Sequence, residues 1–139
     1  MAYICRMAQR RKSFPKSLPA LARAQRVTEW ASTLGFDWRD AAPVWKKVEE
    51  EVDELKRAAS SGDRRRVAEE MGDLLLSLVN LSRFLEVEAE DCLGDAAARF
   101  LRRFAHVEAR IEGQGRKLRD ASLEEMDLFW EEAKRMERE

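Results

Sequence analysis

The chain has 139 residues, of which 45% are hydrophobic and 38% charged, with six glycines and three prolines. That is one domain's length with apolar material for one core, and it favours exposed helices over a β-sandwich. Lys and Arg number 26 against 27 Asp and Glu, so the net charge of −1 excludes a general pull toward nucleic acid or an anionic membrane.

The charge is unevenly spread. From Met1 to Arg26 there are seven basic residues and no acidic one. We expect residues 1–16 to be a solvated, partly disordered basic leader. A nucleic-acid arm is the alternative, but Arg10-Arg11-Lys12 is short and lacks interleaved aromatics. No apolar run follows the basic start, so it does not read as a secretory signal, and no stretch approaches the roughly 20 apolar residues of a membrane span. Cys5 and Cys92 form no C-x-x-C, which argues against zinc and a disulfide framework and suits a cytoplasmic protein.

In chain order, the pattern predicts five helices. The first runs from about Leu18 to Leu34 and stops at Gly35. Gly35-Phe36-Asp37-Trp38 reads as a compact loop whose two aromatics pin it to the core. From Pro43, which suits a first helical turn, Val44, Trp45, Val48, Val52 and Leu55 recur at helical spacing to about Ala59. Ser60-Ser61-Gly62-Asp63 is a turn with Asp63 as N-cap. The third helix, about Arg64 to Leu85, has a broad apolar set (Val67, Met71, Leu74, Leu75, Leu78, Leu81, Leu85) and is expected to be central. A fourth spans Ala89 to Ile111 and stops at Gly113-Gln114-Gly115. Ser122-Leu123-Glu124-Glu125 is a capping box that opens a fifth, to about Met136. No segment alternates as a strand would, so the fold class is all-α, a helical bundle of about five helices, with residues 17–139 as one domain.

Chemistry concentrates in Glu50-Glu51-Val52-Asp53-Glu54 and Glu69-Glu70-Met71-Gly72-Asp73. Glu51 and Glu54 share one helix face, and Glu70 and Asp73 share another. Gly62 is the midpoint of both Glu54/Glu70 and Glu51/Asp73. In an antiparallel hairpin the two pairs therefore lie level, one rung apart, about 4.5 Å along the axis at 1.5 Å per residue. Four facing carboxylates beside Val52, Met71, Leu74 and Leu75 repel one another in a partly desolvated place. A shared divalent cation resolves the repulsion, and all-oxygen donors point to Mg²⁺, or Mn²⁺, and to phosphate chemistry. The plainer reading makes these acids ordinary solvated charges paired with Lys46, Lys47, Lys56 and Arg57. A di-iron bundle wants two Glu-x-x-His motifs and the chain has one histidine, His106, expected to be a partly buried structural residue.

Here the residues resemble a family. Glu50-Glu51-x-x-Glu54 followed by Glu70-x-x-Asp73 is similar to the E-E-x-x-E…E-x-x-D signature of MazG nucleotide pyrophosphohydrolases. Leu18-Pro19-Ala20-Leu21, Gly35-Phe36-Asp37-Trp38, Val79-Asn80-Leu81-Ser82-Arg83, Arg99-Phe100-Leu101-Arg102-Arg103-Phe104 and Leu123-Glu124-Glu125-Met126 also look like MazG segments. The likeness covers about Pro15 to Lys134 and is nearest to the C-terminal domain of the two-domain bacterial proteins. It implies an all-α NTP pyrophosphatase fold and Mg²⁺-dependent hydrolysis of a nucleoside triphosphate to the monophosphate and pyrophosphate, with house-cleaning of nucleotide pools as a family-level role. It implies Glu51, Glu54, Glu70 and Asp73 as metal ligands and Glu50 as a second acid or the base that orients water. It implies Arg99, Arg103, Trp130 and Lys134 as nucleotide contacts. Each of these four has a bland alternative, a solvated arginine stripe, a core tryptophan or a surface lysine pair.

A short hairpin cannot enclose both metal and nucleotide, so a homodimer is expected, as the resemblance also implies. Asn80 in an apolar helix should have a partner. Gly72 inside a helix costs about 1 kcal/mol against alanine, which suggests a close approach there. The competing function is a non-catalytic nucleotide-binding or adaptor helical dimer, which binds without turnover.

Overall fold

The computed structural model describes residues 14–138; the leader through Ser13, with Cys5, lies outside them. Five α-helices lie among the described residues: α1 Ala20–Thr33, α2 Ala41–Ser61, α3 Arg64–Phe84, α4 Ala89–Glu112 and α5 Leu123–Met136. A single 3-10 turn, Leu118–Asp120, precedes α5, and no strand occurs among the described residues. The chain divides into two compact units, the first ending at Asp91 and the second beginning at Cys92.

The helix ends follow local chemistry. Pro19 is the N-cap of α1, so the helix opens two residues later than the pattern suggested. At its other end Gly35 takes φ +87° while Gly35 N–H and Phe36 N–H donate to Ser32 O and Ala31 O, a Schellman closure. Asp40 caps α2 by accepting from Ala42 N–H at 3.0 Å, placing Pro43 inside the first turn, not at its start. Gly62 ends α2 at φ +74°, and Asp63 caps α3 by accepting from the N–H groups of Arg65 and Arg66. The expected capping box at Ser122 and Glu125 is present.

In the first unit α3 packs on both α1 and α2. Val44, Ala58, Val79 and Leu81 are buried there. Gln25 of α1 is also buried; its Nε2 donates to Val87 O (3.1 Å) and its Oε1 accepts from Ala89 N–H (2.9 Å), tying the α3–α4 connection to α1. Asn80 finds its partner one turn on: Arg83 donates to its Oδ1 at 2.8 Å and pairs with Asp37 at 2.5 Å.

Three expectations are corrected. The Gly35–Trp38 loop is not pinned by its aromatics, since Phe36 is 84% exposed and Trp38 is exposed too; the Arg83–Asp37 pair holds it. The apolar set of α3 is only partly buried: Met71, Leu75, Leu78 and Leu85 remain exposed. Gly72 has open space where a Cβ would project, so no close helix approach explains it.

In the second unit α4 and α5 meet through long side chains. Val107, Ile111 and Ala133 are buried. Phe100 lies 5.0 Å from Trp130, and Arg110 sits over the Phe129 ring at 4.9 Å. Arg116 grips Glu125 at 2.5 and 3.0 Å and donates to Asp120 O, locking the turn before α5. His106 is half-buried, its Nε2 3.4 Å from Glu132 Oε1 but without a hydrogen-bond partner.

Candidate metal centre

The hairpin of α2 and α3 carries the acids. Each of Glu51, Glu70 and Asp73 offers a carboxylate oxygen, and these oxygens lie within 4.8 Å of one another. The residues differ sharply in setting: Glu51 is 4% exposed, Glu70 half-buried and Asp73 open to solvent. The desolvation expected of the site is therefore one-sided.

Glu51 is the distinctive member. Its Oε1 accepts from the Lys47 ammonium at 2.5 Å, one helical turn earlier. Its Oε2 is buried with no hydrogen-bond partner. A buried, ionisable oxygen left without a donor is costly unless something else satisfies it. The hydrogen bond to Glu51, with the fields of Glu51, Glu54 and Glu50, holds the Lys47 ammonium above the usual lysine range, against the opposing effect of burial.

Glu54 is not brought into this group. It lies 3.9 Å from Arg57 on its own helix. Glu50 is exposed and 3.9 Å from Lys47. Glu70 has Arg66 at 3.6 Å. Three of the four expected ligands thus have a basic neighbour at i±3 or i±4, as the plainer reading required, and yet three of the four also converge. Convergence is what that reading does not explain. Three hard oxygen donors, one of them a buried orphan, fit a small divalent cation. Lys47 is the contact that pattern reading named only as a surface partner; its i,i+4 spacing to Glu51 was the available signal.

The four expected nucleotide contacts all belong to the second unit. Arg103 and Trp130 are brought together, the guanidinium carbon 5.7 Å from the indole centroid. Trp130 is half-buried and, with Phe100, Phe104 and Met126, lines a groove of about 210 Å³. Arg99 is exposed one turn before Arg103. Lys134 donates to Glu131 Oε1 at 2.8 Å, which holds the Glu131 carboxyl below the usual range.

Residues 41–109 match the family model described as the MazG nucleotide pyrophosphohydrolase domain. The chain is 48% identical over 117 residues to the nucleoside triphosphate pyrophosphohydrolase/pyrophosphatase MazG of Thermotoga maritima, covering 84% of this chain and 45% of that protein. It is 42% identical over 125 residues to the nucleoside triphosphate pyrophosphohydrolase of Escherichia coli K12, covering 88% of this chain and 48% of that one. It is also 41% identical over 127 residues to the uncharacterized protein YabN of Bacillus subtilis, covering 91% of this chain and 26% of the relative. The chain thus spans about half the length, or less, of the curated relatives it matches. The matched region runs from the first residue of α2 into α4 and contains all three converging carboxylates, and on these grounds the chain belongs to the MazG nucleotide pyrophosphohydrolase family.

Proposed function

We propose that this chain is a divalent-metal-dependent nucleoside triphosphate pyrophosphohydrolase, converting NTP and water to NMP and pyrophosphate. The observation that carries the reading is the buried, unpartnered Glu51 Oε2 set among the carboxylates of Glu70 and Asp73. The activity for which the Thermotoga and Escherichia relatives are named supports it.

Glu51, Glu70 and Asp73 would hold the cation, with Glu54 completing the set by a rotamer change away from Arg57. Mg²⁺ is the choice for all-oxygen donors, with Mn²⁺ the alternative. Such an ion supplies charge neutralisation for phosphate oxygens and acidifies water. The chain's own residues do the rest. Glu50, solvent-facing beside Glu51, accepts the proton of the attacking water. Arg99, Arg103 and Lys134 bind phosphate charge, and Trp130 offers its ring face to the base.

Residues 17–139 act as one domain in this reading, with the basic leader outside it. The protein works as a homodimer in the cytoplasm. Support for the dimer comes from the exposed strip Met71, Leu75 and Leu78 on α3. No helix of the described residues is long and apolar enough to cross a membrane.

The test is a pyrophosphate-release screen across nucleoside triphosphates with Mg²⁺ and with EDTA. The reading expects pyrophosphate, not orthophosphate, only with the metal, and loss of turnover in Glu54→Gln and Asp73→Asn with the helical signal intact. Metal-independent release, orthophosphate as product, or normal turnover in either variant overturns it.

A further inference from the structure

Arg103 is not a free cation in this structure. Its Nε and one terminal nitrogen both donate to Glu137 Oε2, at 3.0 and 2.7 Å, and Arg102 reaches Glu137 Oε1 at 4.0 Å. Glu137 is the residue after the last turn of α5. An acid there is disfavoured by its own helix, whose C-terminal end carries partial negative charge. Its place is set instead by α4: the hydrogen bonds from Arg103, then the fields of Arg103, Arg102 and Arg99, hold its carboxyl below the usual range, against burial.

Arg99, Arg102 and Arg103 stand at i, i+3 and i+4 on α4, so three guanidinium groups lie along one side of one helix. Among the described residues one carboxylate, Glu137, pairs with them, carrying a third of the charge needed to balance the set. Guanidinium forks are the side chains best shaped for two-point capture of carboxylate or phosphate, and a polyphosphate has both the charge and the oxygens to use all three.

We propose that Glu137 is an internal competitor for this arginine site, an anion built into α5 that occupies Arg103 until a polyphosphate displaces it. The consequence for catalysis rests on the hydrolase reading above, in which Arg99 and Arg103 bind the substrate's phosphates; the anion exchange itself does not. Because the Arg103 and Glu137 side chains keep 21% and 33% of their surface in water, the pair is partly screened and the competition is modest.

The experiment compares the full chain with Glu137→Gln, using Glu112→Gln, an exposed acid on α4, as the control for the change in net charge. Inorganic tripolyphosphate is titrated calorimetrically in EDTA, which removes any contribution from a metal. The expected result is binding tightened by roughly two- to fivefold in Glu137→Gln, little change in Glu112→Gln, and loss of the gain when Arg103→Gln is added. In turnover assays KM for the nucleotide falls while kcat stays the same. Equal or weaker tripolyphosphate binding in Glu137→Gln, or an equal gain in the control, overturns the proposal. The two readings fail separately: tighter tripolyphosphate binding without any hydrolysis would remove the enzyme and keep the competitor, whereas normal turnover with unchanged binding would do the reverse. Circular dichroism of Glu137→Gln, with Glu137→Asp retaining competition, separates anion exchange from a loosened α5.

Discussion

Replacing Glu51 by glutamine keeps the shape of the buried side chain and removes its charge, and the structure sets the expected balance. At an effective dielectric of about 20, two unit charges 4.8 Å apart repel by about 3.5 kcal/mol. Glu51 has two such neighbours, Glu70 and Asp73. Its attraction to Lys47 at 2.5 Å is about 7 kcal/mol on the same scale. The repulsions and the attraction cancel, and water screens both, because Asp73 is exposed and the Lys47 side chain is 39% exposed. What remains is the cost of keeping a carboxylate almost wholly out of water with one oxygen unpartnered. Glutamine removes that cost, and its amide can donate to either neighbouring acid. In EDTA, Glu51→Gln is therefore expected to melt at or above the parent temperature, by about 1 kcal/mol, or roughly 3–5 °C for a chain of this size. With Mg²⁺ the order reverses. An ion that binds only the folded parent at a hundred times its Kd stabilises it by about 2.7 kcal/mol, and the variant gains little. Turnover falls by about a thousandfold, the equivalent of about 4 kcal/mol of lost transition-state stabilisation. Thermal melts with and without metal, beside a pyrophosphate assay, measure all three. A variant clearly less stable than the parent in EDTA refutes the charge accounting; one whose melting rises with Mg²⁺ as the parent's does refutes Glu51 as a ligand.

Other outcomes follow from contacts outside the centre. Gln25→Leu leaves Val87 O and Ala89 N–H without their partners and should cost about 2–3 kcal/mol in urea denaturation; a neutral result would mean water replaces the amide at no cost. Glu86 holds φ +58° at the position of a Schellman closure that usually takes glycine, so Glu86→Gly should stabilise the chain by about 1 kcal/mol, read from the same unfolding midpoint. Glu125, held by Arg116 and then by Ser122 N–H, has its carboxyl lowered from 4.5 to about 2. Its contribution is thus full above pH 4.5 and lost as pH falls toward 2, so the stability difference between the parent and Glu125→Gln should shrink across that window and not at neutral pH.

The parts of the fold that could be read in advance are those set by neighbours in sequence. Asp63 and Ser122 cap their helices because a short polar side chain reaches N–H groups two or three residues on, and Gly35 and Gly62 end theirs because only a residue without Cβ enters positive φ freely. Asp40 was hidden because proline is tolerated throughout a first turn, so Pro43 did not mark its start. Phe36 and Trp38 were misjudged because aromatic content states what a residue would gain from burial, not whether a surface is there to receive it. The contact that holds their loop, Arg83 to Asp37, links positions 46 apart and leaves no periodic trace. Gly72 keeps no structural explanation.

The same limit explains the site. Counting outward from Gly62 finds which residues lie level on two antiparallel helices, and Glu51, Glu70 and Asp73 do converge. Level is not azimuth, however: a side chain one turn nearer the hairpin end, Glu54, stays beside Arg57 while Glu51 turns inward. Nor does counting report burial, and burial is what distinguishes these acids from the many others on the surface. An exposed triad of carboxylates would be stabilised by water and need no ion. A fully buried one would take up protons instead of ionising. In the metal reading proposed above, a centre closed at Glu51 and open at Asp73 would avoid both outcomes, because the buried oxygen lacks a hydrogen-bond partner while the open side would leave room for solvent and phosphate oxygens around an ion.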